Sequence, residues 1–350
     1  AVMQGLYRNI TQTSRTTIQT MLNGLYFSSN ATYGVNAWYE QRGTTLHGYT
    51  NISFPKTNSD NSALEILSVN YYDTHDFDFN GTNDYSYTVQ SLAGENTPGR
   101  NRGLPTGSKR LILGSTTWLY TYVFYDEYGR AIQVRSNNHL NSAVDNLTTN
   151  VYLYDGTLTQ TKTYHKTTTN TTTVLNTYAY DTQGRLVTVK QKNNTDAEQT
   201  VALYTYNELG QLVDKKLHNT GGANYLQSVD YRYTIRGQLK SINNSQLTAD
   251  ASNDDTDDYF GMELLYNELE SGLGNNPLYN GNISAIKWKG SGSGSGTLNQ
   301  KSYTYSYDKS GKLEEAAYAM KGASTWNVEA GAQNETMTYD HNGNIKTLKR

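Results

Sequence analysis

The chain has no cysteine, only 4 prolines, 6 phenylalanines and 4 tryptophans among its 350 residues. Without cysteine it has no thiol nucleophile, and nothing in it conflicts with an oxidising exterior. No stretch approaches eighteen apolar residues, so no segment is expected to span a membrane as a helix. Charge is sparse and balanced: 29 Lys and Arg against 32 Asp and Glu leave a net charge of −3 and a pI near 6.1. No basic stripe gathers among them, which argues against a nucleic-acid partner. A His-Glu-x-x-His pair, a Gly-x-Ser-x-Gly elbow and a phosphate-binding loop are also missing. The histidines (His47, His75, His139, His165, His218 and His341) stand alone and read as surface or turn residues. With 35% hydrophobic residues and a mean hydropathy of −0.73, the chain is poorer in apolar material than a conventional core of this length. What it has in abundance is tyrosine, 31 copies.

The tyrosines are ordered. The phrase Tyr-x-Tyr-Asp-x-x-Gly-Arg-Leu is cleanest at Tyr178, Tyr180, Asp181, Gly184, Arg185 and Leu186. Variants stand at Tyr204, Tyr206, Asn207, Gly210, Gln211, Leu212 and at Tyr231, Tyr233, Thr234, Gly237, Gln238, Leu239. Two later copies read Tyr305, Tyr307, Asp308, Gly311, Lys312, Leu313 and Tyr339, Asp340, Gly343, Asn344, Ile345. An earlier copy, Tyr122, Tyr125, Asp126, Gly129, Arg130, Ile132, carries single-residue insertions. At Tyr152, Tyr154, Asp155 the turn is degenerate, and Tyr279 to Ile283 keeps only a Gly-Asn-Ile ending. Marked at residues 125, 154, 180, 206, 233, 279, 307 and 339, the units are spaced by 29, 26, 26, 27, 46, 28 and 32. Such a period signals a repeat architecture.

Each unit reads as a β-hairpin. Tyrosines two residues apart share one face of a strand. The Asp or Asn that follows starts a turn by accepting a nearby backbone N–H. Glycine three residues later suits a position with φ above zero. Twenty-six residues then hold roughly two strands of six to eight residues and two turns. One hairpin is not stable alone, so the units must stack on each other. The fold expected is all-β, with hairpins forming one spiralling antiparallel sheet.

These motifs make the chain resemble the RHS/YD-repeat family, whose bacterial members include polymorphic toxins and whose animal members are the teneurins. The resemblance through the motif covers about residues 120 to 350. Before it, His47-Gly48-Tyr49-Thr50-Asn51, Val69-Asn70-Tyr71-Tyr72-Asp73 and Gly103-Leu104-Pro105-Thr106-Gly107 are similar to the segment preceding the repeats in Bacteroidetes members, as is Tyr279-Asn280-Gly281-Asn282-Ile283 later on. The resemblance implies a sheet that closes as a hollow shell. It further implies a structural, non-enzymatic segment of a large exported protein, secreted or at the cell surface. Its partners would be other segments of the same protein, a toxin domain, export machinery or a surface glycan. The alternative is an adhesin or carbohydrate-binding module, since tyrosine-rich polar sheets suit recognition. Toxin members cleave themselves at an Asp-Pro-x-Gly box, but Pro55, Pro98, Pro105 and Pro277 do not follow Asp, so that activity does not carry over.

Residues 1–118 are expected to be a less regular β-rich region, and residues 119–350 the repeat sheet with insertions at 243–275 and 289–298. The first insertion holds the acidic run 253–258, read as solvated; the second holds Gly290-Ser291-Gly292-Ser293-Gly294-Ser295-Gly296, read as a flexible loop. The Thr-rich stretch 167–173 reads as an exposed strand. Ala1-Val2-Met3 is not a signal peptide and Arg350 directly follows a repeat, which suggests a piece of a larger protein. No cofactor is expected. The stronger of two metal candidates, ahead of the acidic run 254–258, is Asp76, Asp78 and Asn80, which match the opening of a calcium loop, although Tyr87 stands where the closing Glu belongs. The competing reading is a strand with Phe77 and Phe79 inward and the acids outward, ending in an Asn-Gly turn.

Overall fold

The computed structural model describes residues 3–7, 15–16, 19–20, 39–52, 64–250, 258–292, 299–328 and 333–350. Its strands are β1 (Met3–Tyr7), β2 (Arg42–Leu46), β3 (Leu64–Tyr72), β4 (Pro105–Leu111), β5 (Trp118–Tyr125), β6 (Ala131–Asn138) and β7 (Asn141–Tyr152). There follow β8 (Leu158–Lys166), β9 (Thr171–Tyr180), β10 (Leu186–Asn193), β11 (Gln199–Tyr206), β12 (Leu212–Gly221), β13 (Asn224–Tyr233) and β14 (Leu239–Ile242). The last are β15 (Phe260–Leu265), β16 (Ala285–Gly290), β17 (Lys301–Tyr307), β18 (Leu313–Lys321), β19 (Trp326–Val328), β20 (Glu335–Tyr339) and β21 (Ile345–Lys349). The protein is all-β, and its strands pair antiparallel.

The chain forms two compact units, residues 1–179 with 191–198, and residues 180–190 with 199–350. In the first, β1 pairs with β3, and β3 to β9 then pair each with the next. In the second, β11 to β18 pair successively, β18 pairs with both β19 and β20, and β20 pairs with β21. Sequential neighbours make contacts local, as a stacked-repeat sequence dictates.

Each unit has its own core. In the first, Tyr49, Val69, Tyr71, Phe77, Tyr122, Phe124 and Ile132 are buried together. The Phe77 ring lies between Tyr71 and Tyr122, with centroids at 3.9 and 4.4 Å. It fits because residue 107 is glycine: a Cβ there would stand 2.4 Å from the ring. In the second, Leu265, Leu273, Ala285, Ala319 and Trp326 cluster.

Several expectations change. Residues 76–81 are not a strand; Phe77 is buried but Phe79 is 45% exposed at φ +61°. Asp76 folds back onto its own loop and is buried, which turns Phe79 outward. His75 is a core residue stacked on Phe124 at 4.2 Å, and burial lowers its pKa. The Thr-rich stretch is partly a turn, closed by Thr167 N–H on the Asn170 carbonyl, before β9 begins. Of the acidic run, residues 253–257 lie outside the described residues, but Asp258 is buried rather than solvated and accepts a bond from Asn243 Nδ2 at 2.6 Å. Gly290 ends β16, while residues 293–298 lie outside the described residues.

Candidate functional site

The repeat motif builds a turn and then a link to the next hairpin. In the turn at Asp181, its N–H donates to the Arg185 carbonyl and the Gly184 N–H donates back to the Asp181 carbonyl, both at 3.0 Å. One carboxylate oxygen accepts from the N–H groups of Gln183 and Arg185 at 2.9 Å, and the other from Arg185 Nε at 2.6 Å. Gly184 sits at φ +77°. Bonding to the Arg185 N–H, assisted by the guanidinium, holds the Asp181 carboxyl below its usual pKa. The turn at Asp126 is the same, with Arg130 Nε at 2.6 Å and Gly129 at φ +77°. Asn207 with Gly210, Thr234 with Gly237, Asp308 with Gly311 and Asp340 with Gly343 close identical backbone rings.

The strand-ending tyrosine is where the register slips by one. Tyr125 opposes Ala131, Tyr206 Leu212, Tyr233 Leu239, Tyr307 Leu313 and Tyr339 Ile345, each beside an irregularity at the preceding residue. That bulge twists the strand. The phenol then reaches the preceding hairpin: Tyr206 O–H donates to the Leu186 carbonyl at 2.8 Å, Tyr233 to Leu212 at 2.9 Å, Tyr307 to Ile283 at 2.9 Å and Tyr339 to Leu313 at 2.8 Å. Tyr125 does the same to Pro105 at 2.8 Å. Burial raises the pKa of Tyr125, Tyr206 and Tyr307, so they remain protonated donors. The cation after the turn glycine lies over the next hairpin's ring: Arg185 over Tyr206 at 4.6 Å, Arg130 over Tyr152 at 5.1 Å and Lys312 over Tyr339 at 5.3 Å. Asp, cation, tyrosine and a backbone carbonyl thus make a clasp between successive hairpins. Tyr178 lies half-buried in β9, two residues before Tyr180.

Two unit assignments shift. In the degenerate unit the strand-ending residue is Tyr152, opposite Leu158, and Leu153 starts the turn that Gly156 closes. Tyr154 and Asp155 are in that turn; Tyr154 is 85% exposed, and Asp155 accepts the Thr157 N–H, which lowers its pKa. In the next irregular unit the clasp is made by Tyr266, whose hydroxyl donates to the Leu239 carbonyl at 2.8 Å, and Tyr279 is exposed. Residues 267–278 separate Tyr266 from the Gly-Asn-Ile ending and hide the motif. Tyr72 opposes Pro105 with the same slip, and Asp73 N–H donates to the Leu104 carbonyl. The thirty-odd residues between them are an excursion inside one hairpin turn, and Phe77 belongs to it.

Asp76 does not present its oxygens to solvent. They accept the N–H groups of Asn80 and Gly81 at 3.0 and 2.8 Å. Burial alone would raise its pKa, but the amides of Gly81 and Asn80 outweigh this and lower it. Asp78 holds Asn80, through Nδ2 at 2.9 Å. Among the described residues no three acidic, His or Cys side chains gather to hold a metal.

The second unit also holds a charge cluster around a buried lysine that sequence reasoning missed. Lys287 Nζ lies 2.8 Å from Glu263 and 3.0 Å from Glu270, with its side chain 7% exposed. Ser245 donates to Glu263 at 2.6 Å, and Gln300 donates to Ser245 at 2.5 Å. Burial favours neutral forms, yet the mutual attraction wins: Glu263 is lowered and Lys287 raised from their usual values. The only available signal was the alternation in Ala285, Lys287, Lys289, which places Lys287 on the same face as a fully buried alanine.

No protein-family model matches the chain, and a comparison with the curated proteins finds no match. Some solved structures are similar to it at low identity. A chain in the crystal structure of TcdB2-TccC3-Cdc42 is similar at 14% identity and a TM-score of 0.39, covering 80% of this chain and 14% of that one. TcdB2-TccC3-TEV gives 12%, 0.38, 82% and 14% for the same quantities. The Photorhabdus luminescens Tc holotoxin pore gives 12% identity, a TM-score of 0.26, and coverage of 72% and 13%. This chain therefore spans about one seventh of the length of those it matches. Among the described residues no helix is long and apolar enough to cross a membrane.

Proposed function

We propose that the chain is a structural, non-catalytic wall segment of a large exported RHS-repeat protein, part of a β-shell that encloses or presents another segment of toxin or effector type. The observation that carries this reading is the clasp. Its tyrosine hydroxyl and its cation join one hairpin to the next, and its Asp oxygens hold that cation in place. Because the acceptor is a backbone carbonyl, the join tolerates almost any sequence in the strands between, as a long wall of variable hairpins requires. The partners are then other segments of the same polypeptide, and the place of action is outside the cell.

The test is protease protection in the parent protein. A flanking segment is expected to survive digestion when this wall is intact and to be cut when Tyr206 and Tyr233 are both changed to Phe. Equal digestion in the two proteins defeats the reading. Binding of a defined oligosaccharide by these 350 residues, without any protection of a flank, favours the recognition module instead.

A further inference from the structure

The buried lysine of the second unit stands between two carboxyl groups that are mounted differently. Glu263 lies directly opposite Lys287, as its paired residue on β15. Its Oε1 is taken by Ser245, through the N–H at 3.0 Å and the hydroxyl at 2.6 Å, which leaves Oε2 to Lys287 Nζ at 2.8 Å. Glu270 comes instead from the excursion between β15 and β16. Its N–H donates to Asn275 Oδ1 at 2.9 Å and its carbonyl accepts the Leu273 N–H at 3.2 Å; Asn275 and Leu273 are both buried. Its Oε2 is 3.0 Å from Nζ. An amine and a carboxyl are thus held together on a fixed support, with a second anchored carboxyl beside them. In an intramolecular condensation such orientation is worth an effective concentration on the order of 10⁵–10⁸ M. A buried ion pair also carries a desolvation cost that a neutral amide does not.

We propose that Lys287 and Glu270 join in an isopeptide bond, with Glu263 relaying the protons. Lys287 and Glu263 are charged at rest, each favouring the charge of the other. The step begins when Nζ passes a proton to Glu263 Oε2 and exposes its lone pair. That pair attacks the carboxyl carbon of Glu270, and a C–N bond forms. Glu263 hands its proton to a Glu270 oxygen, then takes a second proton from the nitrogen and delivers it to the same oxygen. The C–O bond breaks, and its electron pair leaves with that oxygen as water. Nothing is oxidised or reduced. Glu263 ends as a carboxylate that accepts the new amide N–H. Because the neutral amine is a minor form, the bond forms slowly, after folding has brought the three groups together. A chain without cysteine gains by it a covalent tie from the excursion to the sheet.

The bond would form in a shell wall or in a binding module alike, and intact mass decides it. The measurement is made on the 350-residue chain once its β15 and β16 amides are protected from hydrogen exchange. After prolonged incubation the chain should be lighter than its sequence by one water, and digestion should leave residues 270 and 287 on one branched fragment. Lys287→Arg should keep the full mass. Glu270→Gln should lose one ammonia in place of the water, since a carboxamide then supplies the carbon. Glu263→Gln should slow bond formation by roughly 10²-fold or more. Full mass in the protected wild-type chain overturns the proposal, as does a water loss that persists in Lys287→Arg. Loss of ammonia by Glu263→Gln, with loss of water by Glu270→Gln, also overturns it and makes Glu263 the residue joined to the lysine.

Discussion

A single hydroxyl explains why the repeat demands tyrosine where phenylalanine would bury as well. Tyr206→Phe or Tyr339→Phe leaves a carbonyl, Leu186 or Leu313, without its donor. Each change is expected to destabilise by about 1 kcal/mol, read from urea unfolding. Tyr279→Phe, at an exposed turn position, should stay within about 0.5 kcal/mol; equal effects at all three sites would show that the clasp contributes nothing. The Asp of the motif adds a pH dependence. Asp181 has its folded pKa depressed below 3.8, so its contribution is present above that value and is lost as pH falls through the lower folded value. Between about pH 5 and pH 3 the melting temperature should therefore drop more for the wild type than for Asp181→Asn, which keeps an oxygen acceptor but cannot titrate. Lys287 is a different case. Its removal strands two carboxylates around one buried space, and Lys287→Ala should cost about 3–5 kcal/mol.

At the scale of the hairpin, the turn glycine separates backbone strain from packing. A Cβ at Gly184 would meet nothing within 4 Å, so any cost of substitution comes from its φ of +77°. Gly184→Val is expected to lose about 1–2 kcal/mol and Gly184→Asn distinctly less, because Asn tolerates the left-handed region; equal midpoints for the two variants would refute this account of the turn. Hairpins of this kind were legible in the sequence, since Tyr, Asp and Gly keep fixed spacing and each has a local reason to be there. Two were misplaced. At Tyr154 the following Asp155 imitates the motif, although Tyr152 ends the strand and Leu153 starts the turn without a side-chain acceptor. At Tyr279 the motif is split, with its tyrosine at 266 and its glycine at 281. Spacing detects local geometry only. The clasp itself is a contact between residues some twenty apart, so the phenol's acceptor, a backbone atom, left no trace in residue type. The calcium-like string shows the converse: Asp76 has the residue type for a metal, but its oxygens serve Asn80 and Gly81. Chelation by EGTA is accordingly expected to leave the melting temperature unchanged, whereas Asp76→Ala should lower it.

Across the whole molecule, cohesion comes from neighbours in sequence, and each compact unit carries its own core. The first depends on an aromatic stack in which Phe77 arrives from an excursion inside a hairpin turn, a placement that alternation of polar and apolar residues does not reveal. The second depends on Leu265, Ala285, Ala319 and Trp326 with the buried Lys287 pairings beside them. A chain held this way should not unfold in one step, because the energy of each hairpin is tied chiefly to the hairpins next to it. Phe77→Ala removes a ring buried between two others and should cost its unit about 3–5 kcal/mol. Trp326→Ala should act comparably on the other. Hydrogen exchange resolved along the chain distinguishes the cases. With Phe77→Ala, amides of β4, β5 and β6 are expected to exchange faster while those of β16, β17 and β18 keep their protection, and Trp326→Ala should reverse the pattern. Equal loss of protection in both sets from either mutation would mean one cooperative body, and the nearest-neighbour account of these hairpins would have to be given up.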